Sequence, residues 1–156
     1  GTIALEMLEQ QADLDTLVVA IGGGGLISGV ATAAKLLRPS IRVIGVEPTG
    51  APTLFESLKH NEVATLPSVN TAATSLAPRQ SSALNVDLIG RNVDRIVLVS
   101  DDEMRDAARW LWRELGIAVE LSAAAGIAAV ASDRLGVENP GKIGVVICGT
   151  GSDGMA

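Results

Sequence analysis

Four consecutive glycines, Gly22-Gly23-Gly24-Gly25, join the apolar run Thr16-Leu17-Val18-Val19-Ala20-Ile21 to residues at helical spacing, Ile27, Val30, Ala34 and Leu37. This junction limits the possible folds more than any other feature. A short continuous apolar run bounded by Asp15 and Gly22 predicts a strand buried on both faces, which belongs in a parallel sheet covered by helices. Glycine adopts backbone dihedrals that other residues resist, but each one loses more conformational freedom on folding. A tight turn needs one or two. Four in a row let several main-chain N–H groups converge on one anion. The helix that begins near Leu26 adds the positive end of its dipole. Gly22, Gly23, Gly24, Gly25 and Leu26 are therefore the candidate cradle for a phosphate group.

The rest of the chain repeats this alternation. Residues 2–11 read as a helix, 41–46 as a strand, 51–60 as a helix, 61–80 as irregular, 82–91 as a helix and 95–99 as a strand. Ser100-Asp101-Asp102-Glu103 has the form of a capping box, in which Ser100 and Glu103 satisfy each other's free amides. The helix it opens runs to about Leu115, with Met104, Ala107, Ala108, Leu111 and Leu115 on its apolar face and Gly116 as its stop. An Ala-rich helix is predicted over 122–135, capped by Ser122. A final strand is predicted over 142–148, opening onto Gly149-Thr150-Gly151-Ser152-Asp153-Gly154. Strands alternating with helices predict an α/β fold, an open, mainly parallel sheet flanked by helices, in one domain over residues 1–156.

Composition narrows the function classes. The net charge of −6 repels nucleic acid and anionic lipid, and no basic run or aromatic stripe offsets it. Aromatic residues make up 2% of the chain, so aliphatic side chains must fill the core. A single Cys excludes an internal disulfide framework and suits a reducing, cytoplasmic compartment. No apolar run reaches the roughly 20 residues that cross a bilayer.

In open parallel sheets, ligands bind at the carboxyl ends of the strands. Three of those ends carry unusual residues: Gly22 to Gly25, Glu47-Pro48, and Cys148 to Asp153. The glycine run does not continue into the Gly-Lys-Ser/Thr of a nucleotide-triphosphate loop. It also misses the Gly-x-Gly-x-x-Gly of dinucleotide-binding folds, since Ile27 stands where the last glycine would be. Glu47 does lie where a ribose-binding acid would fall, which leaves a nicotinamide- or flavin-dependent oxidoreductase as one alternative. A non-catalytic phosphate-ligand module is another.

Taken in order, Gly1-Thr2-Ile3-Ala4-Leu5-Glu6, Gly22-Gly23-Gly24-Gly25-Leu26, Glu47-Pro48 and Ile147-Cys148-Gly149 with Asp153 resemble the fold-type II pyridoxal-phosphate enzymes. The group that matches is that of the threonine and serine dehydratases and serine racemase, and the resemblance covers essentially the whole chain. It implies pyridoxal 5'-phosphate as cofactor, its phosphate on Gly22 to Leu26, its pyridine nitrogen beside Cys148 and Gly149, and Glu120 on the loop before the Ala-rich helix. It also implies a small amino acid as substrate, β-elimination of water as reaction, and a homo-oligomer in the full-length form. In some members a cation site begins at the Glu-Pro, which points to Glu47 and the carbonyl of Ala51; where an acid would complete it, this chain has Thr53. The family's Thr-x-Ala-Asp-Gly reads Thr71-Ala72-Ala73-Thr74-Ser75 here.

The family's Schiff-base lysine lies in a Ser-Phe-Lys segment near the start of the full enzyme, and no such segment occurs here. Lys35 and Lys59 lie in or beside helices, and Lys142 starts a strand at the end away from the site. The chain is thus expected to be the C-terminal part of an enzyme and inactive by itself. His60 reads as a solvated residue at a helix end. Of Trp110 and Trp112, two apart on one helix, one is expected in the core and the other at an interface. Asp101, Asp102 and Glu103 are expected to point outward and complement the helix dipole.

Overall fold

Side chains alternate sides along each strand, and that alternation builds two cores. The computed structural model describes residues 1–155. In β1 (Thr16–Ala20), Leu17 and Val19, with Ile21 just beyond, face one side, while Val18 and Ala20 face the other. β2 (Arg42–Pro48) and β3 (Arg95–Val99) divide their residues in the same way: Val43 and Ile96 on the first side, Ile44, Val46, Val97 and Val99 on the second. With β4 (Ile143–Val145) these strands form one parallel sheet in the order β3-β2-β1-β4. Helices α1 (Thr2–Gln10), α2 (Gly25–Leu37), α3 (Thr53–His60) and α4 (Ala83–Asn92) cover the first side. Helices α5 (Asp101–Leu115) and α6 (Ala125–Ala131) cover the second. Gly45 in β2 makes room for Ile21 and Ile27: a Cβ there would lie 2.3 Å from the end of Ile21, which would have to shift.

The strand order reverses at β1. The chain leaves β1 toward β2 on one flank, and after α6 it returns to β4 on the other. A crevice opens at the carboxyl ends of two such neighbours, because their loops depart in opposite directions. The glycine loop after β1 and the segment after β4 meet there.

Helix ends follow the local chemistry. Ser100 accepts from the Glu103 amide and Glu103 accepts from the Ser100 amide at 2.7 Å, completing the capping box. Gly116, at φ +67°, closes α5. Glu47 acts over a longer range. Its carboxylate is fully buried at the end of β2, where its two oxygens accept the amides of Leu54 and Phe55 at 2.8 Å each. The start of α3, which lacks a side-chain cap from its own N-cap residue Pro52, is capped in this way.

Five expectations are corrected. The segment predicted as one helix over 122–135 is a 3-10 turn, Leu121–Ala124, followed by α6, which ends at Ala131. Ser122 is not its cap; it is buried and held by a side chain from elsewhere. The last strand is three residues long, because beyond Val146 the chain leaves the sheet and Thr150 instead pairs antiparallel with Val119. Trp110 and Trp112 are both half-exposed, as is Leu115, since Met104, Ala107, Ala108 and Leu111 already fill the buried face of α5. Asp101 does not point outward: it accepts from Thr71 Oγ1 at 2.5 Å and the Ala72 amide at 2.7 Å, tying the irregular segment to α5.

Burial of Glu47 raises its pKa to about 7, against the opposing pull of the Leu54 and Phe55 amides. In the unfolded chain the group ionises near 4.5, so between these values the folded state holds the extra proton. Stability is then greatest below the unfolded value and falls as pH rises through about 7. A Glu47→Gln variant is expected to lose this contribution of about 3 kcal/mol to the pH dependence. Urea unfolding at pH 5 and pH 8 checks it, and parallel profiles for variant and parent would contradict it.

Candidate functional site

The loop after β1 is shaped by what packs behind it. At Gly22 a Cβ would lie 2.5 Å from the carbonyl oxygen of Ser75. Gly24 has φ +93°, and a Cβ there would meet Leu54 at 2.7 Å. At Gly23 and Gly25, by contrast, no atom lies within 4 Å of where a Cβ would sit. Two of the glycines are thus demanded by close packing and the other two leave open space. Ile21 donates to Val46 in the sheet, and the next amide with a protein acceptor is that of Ser28, which bonds to Gly24 O at 2.9 Å. Among the described residues, the amides of Gly22 through Ile27 have no acceptor. Unpaired N–H groups at a helix start form an anion site, strengthened by the dipole of α2.

A cleft of about 300 Å³ lies over the loop and brings together residues from four parts of the chain. Gly22 to Ile27 form one wall; Ser75 and Leu76 come from the irregular segment; Glu120 and Ser122 come from the turn before α6; Cys148 follows β4. Gly149 stands behind the wall: its carbonyl accepts the Glu120 amide at 3.4 Å, and a Cβ there would lie 2.4 Å from Glu120 Oε1. Gly22, Gly23, Gly24, Gly25, Leu26, Cys148 and Glu120 therefore meet at one place. Glu47 and Ala51 do not line this cleft. Both Glu47 oxygens are engaged by α3, and no group of three acidic, His or Cys side chains suited to a metal occurs among the described residues.

Ser75 and Ser122 could not be picked out from the sequence. Ser75 Oγ lies 2.6 Å from Ser122 Oγ and 3.3 Å from Glu120 Oε1. A hydroxyl has one hydrogen, so when Ser75 donates to Glu120, Ser122 donates to Ser75. Asp153 holds the turn from below by accepting the Leu121 amide at 3.3 Å. Cys148 is exposed on the cleft wall. Desolvation raises its thiol pKa, and the nearby Glu120 carboxylate adds to this. The thiol therefore stays neutral at neutral pH.

The chain belongs to the pyridoxal-phosphate-dependent enzyme family: the family model described as "Pyridoxal-phosphate dependent enzyme" matches residues 1–149. Phenylserine dehydratase of Ralstonia pickettii is 44% identical over 154 residues, covering 98% of this chain and 47% of that protein. Serine racemase of Oryza sativa subsp. indica is 40% identical over 157 residues, covering 98% of this chain and 46% of that protein. Among solved structures, maize serine racemase superposes with a TM-score of 0.91 at 40% identity, covering 96% of this chain and 48% of that one. The chain spans about half the length of the curated relatives it matches. The family's cofactor is pyridoxal phosphate. The residues present fit that group: free amides and open space at Gly23 and Gly25 suit its phosphate, and a neutral thiol across the cleft suits an uncharged ring nitrogen. The dinucleotide reading falls with this assignment, and Glu47 serves α3 instead of a ribose.

The two kinds of glycine give a sharp contrast. Gly24→Ala places a methyl group against Leu54 and Ile89 at a positive φ, and is expected to cost about 1–3 kcal/mol. Gly25→Ala, at the first position of α2 and in open space, is expected to be neutral or stabilising by up to about 1 kcal/mol. Thermal melting of both variants checks this, and equal losses would contradict it.

Proposed function

We propose that this chain is the C-terminal part of a pyridoxal-phosphate-dependent dehydratase, an ammonia-lyase for a β-hydroxy amino acid such as L-threonine or L-serine. The observation that carries the proposal is the set of unpartnered amides from Gly22 to Ile27 in a cleft whose far wall presents the neutral thiol of Cys148. The cofactor, when bound, supplies a sink for the electron pair released at the substrate's α-carbon.

The roles of the chain's own residues follow from their chemistry. The amides of Gly22 to Leu26 bind and orient the phosphate. Cys148, whose thiol is neutral, would stand as the partner of the pyridine nitrogen and would offer it no negative charge to hold a proton. In the overall elimination the pair from the Cα–H bond becomes the Cα=Cβ bond, and the C–O pair leaves with the β-hydroxyl, which takes up a proton to become water. The enamine that remains tautomerises to an imine, and water hydrolyses that to a 2-oxo acid and ammonia. Glu120 and the Ser75–Ser122 pair form the polar wall beside Cys148 and are the groups of this chain placed to hold or move a proton there.

The chain's three lysines are engaged elsewhere. Lys35 pairs with Asp94 at 2.8 Å, Lys59 with Glu56 at 3.6 Å and Lys142 with Asp13 at 2.5 Å, and none lines the cleft. In this reading the amine that holds the cofactor covalently comes from the rest of the full-length protein, and the chain alone does not turn over substrate. The soluble, oligomeric state of the complete enzyme is part of the same proposal. Among the described residues, no helix is long and apolar enough to cross a membrane.

The rice and maize relatives named as serine racemases support a second reading, inversion at the α-carbon without loss of the β-hydroxyl. Incubating the full-length protein, loaded with pyridoxal phosphate, with L-serine, L-threonine or phenylserine separates the two. The proposal expects 2-oxo acid and ammonia in equal amounts. Recovery of D-serine without 2-oxo acid would overturn it in favour of the racemase, and no change in any substrate would overturn both.

A further inference from the structure

The Gly23 carbonyl is held by two donors from the start of α4. Ser81 Oγ donates to it at 2.7 Å and Asn85 Nδ2 at 2.8 Å. Asn85 is itself fixed at both ends. Its main-chain amide donates to Ser82 Oγ, the cap of α4, and its Oδ1 accepts from Ser28 Oγ in α2 at 3.4 Å. The Gly23 carbonyl can only accept, so Nδ2 is the end turned to it, and Oδ1 is left to accept from Ser28 Oγ. The α4 side of the loop is closed by packing as well: a Cβ on Gly24 would come within 3.2 Å of Asn85 and 3.1 Å of Ile89.

A trans peptide unit is planar, with its carbonyl and amide on opposite sides. Holding the Gly23 carbonyl toward α4 therefore aims the Gly24 N–H away from α4. No residue of α4 lines the cleft, which lies over the other side of the loop. Four adjacent glycines left to themselves would sample many orientations, and fixing them only on binding would weaken the capture of an anion. We propose that Asn85 and Ser81 are positioning residues that preorganise the glycine loop for the cofactor phosphate. This rests on the reading of Gly22 to Leu26 as the phosphate cradle.

The prediction concerns the phosphate alone, so the test compares pyridoxal phosphate with pyridoxal, which lacks that group. Both are titrated into the cofactor-stripped full-length protein and followed by absorbance. Asn85→Ala is expected to weaken pyridoxal phosphate about tenfold, and Ser81→Ala about threefold, from the loss of one hydrogen bond each. Affinity for pyridoxal should stay within about twofold in both. A purely structural role would weaken the two ligands alike, and that result, or unchanged affinity for both, would overturn the proposal. Ser81 precedes α4 and, among the described residues, its side chain bonds only to the Gly23 carbonyl, so Ser81→Ala keeps the test decisive if Asn85→Ala does not fold. If the unaltered protein binds pyridoxal phosphate no more tightly than pyridoxal, the cradle itself is refuted.

Discussion

Main-chain amides must find acceptors, and from Gly22 to Ile27 this chain offers them none among the described residues. That constraint organises the rest of the structure. Leaving such groups open is tolerable at a helix start facing a cleft, where an anion or solvent can satisfy them. It requires a backbone free of side chains, a helix aimed by its N-terminus, and walls that keep the loop from collapsing onto its neighbours. The glycines provide the first and the junction of β1 with α2 provides the second. Leu54, Ile89 and Asn85 on one side, and the Ser75 main chain on another, provide the third.

The sheet order explains why the remaining site residues lie where they do. Because β4 returns to the free edge of β1, Cys148 arrives opposite the glycine loop with no intervening strand. The turn before α6 then brings in Glu120 and Ser122, anchored to the segment after β4 by the Val119–Thr150 bridge and by Asp153. Glu47, at the end of β2, contributes differently. By capping α3 it fixes Leu54, whose side chain fills the space beside Gly24. A buried carboxylate outside the cleft thus shapes the glycine loop.

Much of this was legible in the sequence, and the division follows interaction range. The first three strands, the capping box at Ser100 and the Gly116 stop all depend on residues within a few positions of one another. The contacts that complete the site do not. Ser75 meets Ser122 across 47 positions, and Asn85 meets Gly23 across 62. Neither has a local signature, because serine and asparagine occur at every turn and cap. The same limit explains Trp110 and Trp112: their helix was evident, but the face it buries was set by α6 and the sheet. It also explains Ser122, which has the spacing of a cap but is drawn into the cleft wall by Ser75. The roles expected of Cys148 and Glu120 came from the family resemblance and not from the residue pattern.

These open amides are proposed to take up the cofactor phosphate. Hydrogen exchange measured by mass spectrometry on the full-length protein tests this most directly. Peptides covering residues 21–28 should exchange quickly in the cofactor-free protein and slow markedly with pyridoxal phosphate, but not with pyridoxal. Equal exchange in that segment with and without the phosphate-bearing ligand would contradict the account.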